Sequence, residues 1–96
     1  MTEQLHILCV DDEPKVLEGL VLNLRRHYRV STASNGQAGL AIVDGSDPPA
    51  VVVSDMRMPG MDGAAFLSQV KERAPDIVRL LLTGQADLDS AIAAVN

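Results

Sequence analysis

Short apolar runs alternate along the chain with longer segments in which apolar residues recur at helical spacing. Runs rich in valine, leucine and isoleucine are typical of buried strands, and apolar residues three or four positions apart are typical of helices. The predicted strands are residues 5–10, 28–32, 51–55 and 77–82. The predicted helices are residues 14–27, 37–43, 63–74 and a fourth segment around Leu88, Ile92 and Val95.

Local signals support the helix boundaries. Pro14 suits the first turn of a helix, and Asn35 is a good candidate for the cap of the second helix. Asp62 is interpreted as a turn or cap residue before the third helix. Because strands alternate with helices, the order βαβαβαβα predicts parallel strands in one α/β domain of 96 residues.

Composition and charge narrow the range of functions. The net charge of −5 argues against a nucleic-acid surface, because phosphate contacts need clustered lysine and arginine. Cys9, the single cysteine, lies in an apolar run and is expected in the core. The sequence contains no signal peptide pattern and no apolar stretch of about 18 residues, which with the lack of an internal disulfide predicts a cytoplasmic protein.

Three predicted strands end in side chains that can do chemistry. Asp11 and Asp12 follow the first strand, Asp55 ends the third, and Thr83 follows the fourth. The carboxyl ends of parallel strands meet at the edge of the sheet where α/β folds bind ligands, so these groups are expected to converge. Each one alone also has a structural interpretation, as a helix-start acid, a turn residue or a strand-end hydroxyl.

Three converging carboxylates repel one another unless a cation lies between them. Oxygen ligands without a nearby thiolate or imidazole favour a hard cation, which in a cell is Mg²⁺. His6 and His27 lack metal-ligand spacing and are interpreted as non-functional. Because an aspartate is an anionic nucleophile at neutral pH, the pattern indicates phosphoryl transfer to Asp55, with a hydrogen bond from Thr83 to a phosphoryl oxygen.

In these features the chain resembles the receiver domain of two-component response regulators. The resemblance covers the whole chain and rests on three motifs. The motifs are Asp11-Asp12-Glu13, the segment DMRMPGMDG at residues 55–63, and Leu82-Thr83-Gly84. The resemblance implies a flavodoxin-like doubly wound parallel sheet, with residues 1–96 forming the N-terminal portion of a receiver domain.

The resemblance also implies a role for each matching residue. Asp55 would be the phospho-acceptor, which takes a phosphoryl group from the phosphohistidine of a partner kinase or phosphotransfer protein. The Mg²⁺ ligands would be Asp12 directly, Asp11 through water, Asp55, and the backbone carbonyl of Arg57. Thr83 would be the switch hydroxyl that moves toward the phosphoryl group. Such a protein signals and dephosphorylates itself, and it is not a metabolic enzyme.

The sequence departs from the family pattern after the fourth helix. Receivers continue into a fifth strand, which ends in a lysine, and then a fifth helix. Lys15 and Lys71 lie on predicted helices and cannot take the place of that lysine. Because the apolar face of the fourth helix needs a partner surface, we expect a fragment of a longer regulator with an output domain beyond Asn96. We also expect a homodimer through the fourth strand and helix.

Other functions stay open on the sequence alone. An aspartate-nucleophile phosphatase or phosphotransferase would carry a second aspartate two residues after the first, where this chain has Arg57. A nucleotide-binding module would need a glycine-rich loop after the first strand, where this chain has acidic residues. A receiver-like interaction module that is never phosphorylated would agree with the missing lysine but not with the intact acidic residues.

Overall fold

A four-stranded parallel sheet, with helices packed on both faces, makes up the part of the chain that the computed structural model describes, residues 4–82. The strands are β1 (His6–Val10), β2 (Arg29–Ala33), β3 (Val51–Asp55) and β4 (Val78–Leu82). They lie in the order β2-β1-β3-β4, and every pairing is parallel. This confirms the predicted α/β class and the flavodoxin-like arrangement. The predicted fourth helix lies outside the described residues.

The helices begin and end close to the predicted positions. They are α1 (Pro14–Leu24), α2 (Gly36–Val43) and α3 (Gly63–Arg73). Helix α1 ends before the predicted residue 27, because the backbone N–H groups of His27 and Tyr28 both donate to the carbonyl of Leu24 and turn the chain toward β2. None of the described helices is long and apolar enough to cross a membrane.

Side-chain caps fix the start of two helices. The carboxamide oxygen of Asn35 accepts a hydrogen bond from the N–H of Ala38 at 2.8 Å, and a carboxylate oxygen of Asp62 accepts one from the N–H of Ala65 at 2.8 Å. Each bond satisfies a backbone donor that the first turn of a helix leaves free. Both predicted capping roles are therefore confirmed.

The core has a larger and a smaller part, one on each face of the sheet. The larger part lies between the sheet and the helices α2 and α3, and its fully buried side chains include Leu8, Val52, Phe66 and Val70. The smaller part consists of Ile7, Cys9 and Val53, against which α1 packs residues that are only partly buried. Cys9 is fully buried, as predicted, and burial raises the pKa of its thiol.

Candidate functional site at the carboxyl edge of the sheet

The two central strands bring three carboxylates to the same edge of the sheet. Val10 of β1 pairs with Ser54 of β3, so the residue that follows β1, Asp11, lies beside the last residue of β3, Asp55. One carboxylate oxygen from each of Asp11, Asp12 and Asp55 lies within 4.8 Å of the other two. The structure therefore brings together the three acidic residues that the sequence placed at this edge.

The three carboxylates differ in their exposure to solvent. Asp11 is only 4% exposed, Asp55 is half-buried, and Asp12 is exposed. Asp11 is held at two points: its backbone N–H donates to the carbonyl of Ala33 at 3.2 Å, and its side chain accepts a hydrogen bond from the N–H of Glu13 at 2.8 Å. Asp11 is thus the buried and fixed member of the cluster, and Asp12 is its most exposed member.

The electrostatics of the cluster favour a bound cation. Burial raises the pKa of Asp11, and the negative charges of Asp55, Asp12 and Glu13 raise it further, against the opposing effect of the hydrogen bond from the Glu13 N–H. A divalent cation would reverse this repulsion. An all-oxygen donor set is the one that hard cations such as Mg²⁺ take, so these three residues fit such an ion.

The connection from β3 to α3 closes one side of the site. It is anchored by the buried side chain of Met58 and turns at Gly60, whose φ of 81° is favourable only for glycine. The backbone N–H of Gly63 donates to the carbonyl of Met56 at 2.9 Å and so joins the two ends of the connection. Arg57, whose carbonyl would be a metal ligand according to the family resemblance, lies on this connection with an exposed side chain.

A cleft of about 780 Å³ borders Asp12, and sequence reasoning did not identify it. Its walls include Asp12, Asn35 at the start of α2, and Met61 from the β3–α3 connection. The turn signal Asn35-Gly36 predicts a helix start. The cleft itself forms where the β2–α2 and β3–α3 connections lie side by side, and that depends on tertiary packing. Of the three clustered carboxylates, only Asp12 is among the residues that line this cleft.

The predicted switch residues stand immediately after the described part of the chain. Leu82, the last residue of β4, pairs with Asp55 in the sheet. Thr83 and Gly84 lie outside the described residues, and the role of Thr83 stays a prediction.

Comparison with known proteins identifies the family to which this chain belongs. The family model of the response regulator receiver domain matches residues 7–96. The hydrogenase transcriptional regulatory protein HoxA of Cupriavidus necator is 38% identical over 94 residues, which are 98% of this chain and 19% of that protein. The chain thus spans about a fifth of the length of this relative.

Two solved structures share the fold over almost the whole chain. An adenylate cyclase from Rhodopirellula baltica has a TM-score of 0.90 and 41% identity, over 97% of this chain and 69% of that one. A response regulator receiver domain protein from Clostridium thermocellum has a TM-score of 0.86 and 36% identity, over 94% of this chain and 73% of that one.

Proposed function

Because this chain belongs to the response regulator receiver domain family, we propose that it is a phosphorylation-controlled switch whose phospho-acceptor is Asp55. The observation that supports this proposal most directly is the convergence of Asp11, Asp12 and Asp55 within 4.8 Å at the carboxyl edge of the sheet. Family membership makes the chain a signalling module and not a metabolic enzyme. Residues 1–96 are proposed to be part of one receiver domain.

The proposed metal site uses Asp12 as a direct ligand, Asp11 through a water molecule, Asp55, and the backbone carbonyl of Arg57. When bound, Mg²⁺ would offset the repulsion between these carboxylates and an incoming phosphoryl group. The strands contribute orientation: Asp11 is buried and accepts a hydrogen bond from the Glu13 N–H, and Asp55 ends β3, where it pairs with Leu82 of β4.

In the proposed transfer, a carboxylate oxygen of Asp55 attacks the phosphorus of a phosphohistidine on the partner protein. The new O–P bond forms as the P–N bond breaks, and the imidazole nitrogen keeps the bonding electron pair and takes up a proton from solvent. The cleft beside Asp12 gives the partner's side chain room to approach. Hydrolysis of the acyl phosphate by water would return the resting state, and the family resemblance implies that the side chains of Arg57 and Gln85 would flank the path of that water.

The proposed partners are a sensor histidine kinase or phosphotransfer protein and an output domain in the full-length regulator. The similarity to HoxA, a transcriptional regulatory protein, supports an output of this general kind. We also propose a cytoplasmic location, since kinases of this kind transfer phosphoryl groups inside the cell and Cys9 is an unpaired, buried thiol.

The acceptor assignment is tested by Asp55→Asn, with Asp76→Asn as the matched control. Asp76 is an exposed acid in the α3–β4 connection, away from the cluster. After treatment with acetyl phosphate and Mg²⁺, mass spectrometry should find one acid-labile phosphoryl group on the wild type and the control, and none on Asp55→Asn. A phosphorylated Asp55→Asn protein would contradict the assignment. A wild type that stays unmodified would favour the interaction module that is never phosphorylated.

The metal assignment is tested by Asp12→Ala. Asp12 is exposed, so its loss should change stability little while it weakens Mg²⁺ binding measured by calorimetry. An unchanged Mg²⁺ affinity would mean that Asp12 only contributes to the start of a helix and is not a metal ligand.

The switch assignment is tested by Thr83→Ala in the full-length regulator. The variant should still accept a phosphoryl group but lose its output response, because the hydroxyl is proposed to bias a two-state element and not to act as the nucleophile. An intact output response would remove this role from Thr83.

A further inference from the structure

Gly63, the first residue of α3, packs directly against the backbone at the end of β3. A Cβ atom at this position would lie 2.1 Å from the carbonyl oxygen of Asp55 and 2.9 Å from the Cα atom of Met56. Gly60 is the described glycine with a positive φ, so Gly63 does not need glycine for its backbone conformation. A side chain is excluded at Gly63 because the space is already filled by the backbone that carries Asp55.

At the other glycines of the described part, a Cβ atom would meet side chains, meet backbone only beyond 3 Å, or meet nothing within 4 Å. A Cβ atom at Gly39 would meet the Phe66 ring and the Val10 side chain, and at Gly19 it would meet nothing within 4 Å. Among the described glycines, only at Gly63 would the Cβ atom come within 3 Å of backbone atoms. Side-chain ends can move aside at low cost, whereas a strand held on both edges cannot.

We propose that Gly63 is a positioning residue for phosphoryl transfer: it lets the start of α3 lie against the Asp55 carbonyl and so sets the place of the Asp55 carboxylate. This inference rests on the proposed function of Asp55. It adds to the acidic cluster a requirement for free space at position 63. Gly63 itself offers no side chain to a metal or a substrate.

Neither side of this contact can easily withdraw. The Asp55 carbonyl also accepts a hydrogen bond from the fully buried Ser54 hydroxyl at 2.9 Å, and β3 is paired with β1 and β4. Helix α3 is anchored near its start by the fully buried side chain of Phe66. An added methyl group at position 63 would therefore displace the β3–α3 connection and the last residue of β3, which carry the proposed metal ligands.

The test compares Gly63→Ala with two control variants. Val70→Ala removes buried volume from the same helix at its far end, and Gly19→Ala adds a methyl group in open space. For each protein, circular dichroism defines a temperature at which the chain is folded. Mg²⁺ affinity and the rate of phosphorylation by acetyl phosphate at saturating Mg²⁺ are then measured there.

We expect Gly63→Ala to bind Mg²⁺ roughly 10–100-fold more weakly, as for changes in groups that orient metal ligands. Its phosphorylation rate at saturating Mg²⁺ should fall by about 100-fold, the scale of a 1 Å misplacement. Val70→Ala, although less stable, should keep both values near those of the wild type. A Gly63→Ala protein that matches Val70→Ala in both measurements would overturn the proposal.

A second variant covers the case in which Gly63→Ala does not fold. Asp62→Ala removes the cap of α3 and loosens the helix start without adding an atom, whereas Asp62→Asn keeps a good capping residue and removes only the charge. We expect weaker Mg²⁺ binding in Asp62→Ala and near wild-type binding in Asp62→Asn. Unchanged binding in Asp62→Ala would overturn the proposal. Failure of the proposed function would show differently, as a wild type that neither binds Mg²⁺ nor becomes phosphorylated.

Discussion

At the scale of one residue, Asp11 shows how clustered metal-binding carboxylates lower the stability of the folded protein when no metal is bound. Its pKa is raised by burial and by the charges of Asp55, Asp12 and Glu13, so the folded metal-free protein binds this proton more tightly than the unfolded chain does. Protonation of Asp11 contributes its full stabilisation of the folded state at pH values below the pKa of Asp11 in the unfolded chain. This stabilisation is lost as the pH rises through the higher pKa in the folded chain.

We therefore predict that Asp11→Asn makes the metal-free protein more stable at neutral pH. The amide oxygen can still accept the hydrogen bond from the Glu13 N–H, while the repulsion from the other carboxylates disappears. Urea unfolding in the presence of a chelator, over a series of pH values, should show a gain that vanishes in acid. The same variant should bind Mg²⁺ more weakly.

The exposed acid Asp76 provides the control, since Asp76→Asn changes the same charge outside the cluster. An Asp11→Asn protein that is less stable than the wild type at neutral pH without Mg²⁺ would contradict this account of the cluster.

Residue roles that depend on neighbours along the chain could be predicted, and those that depend on distant residues could not. The caps at Asn35 and Asp62 are local patterns, and both are confirmed. His6 is buried with its Nε2 2.6 Å from the hydroxyl of Ser31, which lies 25 positions away in the sequence. That environment has no local signature. The prediction that His6 is non-functional stays a prediction.

At the scale of the element, α1 and α3 have the same length but are held in different ways. Helix α3 is capped by Asp62 and buries Phe66, Leu67 and Val70. Helix α1 has no side-chain cap, contains no buried residue, and leaves Leu22 59% exposed. Apolar periodicity predicted both helices, because it reports which side faces the sheet. It does not report how deeply a helix is covered, since neighbouring elements decide that.

We predict that backbone amides of α1 exchange with solvent faster than those of α3, because a helix with few buried contacts opens locally at low cost. Replacing the capping-position residue by Glu13→Asp keeps the charge and supplies a good cap, which should stabilise α1 by about 0.5–1 kcal/mol and slow its exchange. Hydrogen exchange followed by NMR measures both effects.

The matched control for this change is Glu72→Asp, an exposed position in the last turn of α3. Equal protection of α1 and α3 in the wild type, or equal effects of the two substitutions, would show that capping and burial do not explain the difference.

At the scale of the whole molecule, the sequence predicted the class of the fold and the edge at which chemistry occurs. Alternating strands and helices give parallel pairing, and parallel strands place Asp11, Asp12 and Asp55 at one edge. The order β2-β1-β3-β4 belongs to the flavodoxin-like fold that the family resemblance implies, because local patterns do not state which strands pair. The cleft beside Asp12 and the contact of Gly63 with Asp55 were missed, because both arise where separate connections pack together.

Strand β4 is an outer strand in the sheet of the described residues, with an apolar face that is only partly covered. Val78, Leu80 and Leu82 are 53%, 49% and 39% exposed. They pair with alternate residues of β3, including Val53, and so lie on the face of the sheet where α1 packs. An apolar edge strand of this kind is a template for pairing with another chain.

We predict that the 96-residue chain associates with a second copy through β4 in a concentration-dependent manner. Sedimentation over a concentration series should show a rising average mass for the wild type and a monomer for Leu80→Lys, because a charge on the exposed face opposes edge-to-edge pairing. Leu22→Lys places the same charge on the exposed side of α1 and should associate like the wild type. The fourth helix, which the sequence also assigned to this dimer, lies outside the described residues. A wild type that stays monomeric at every concentration, or a Leu22→Lys protein that is as monomeric as Leu80→Lys, would show that the exposed face of β4 is not the contact between copies.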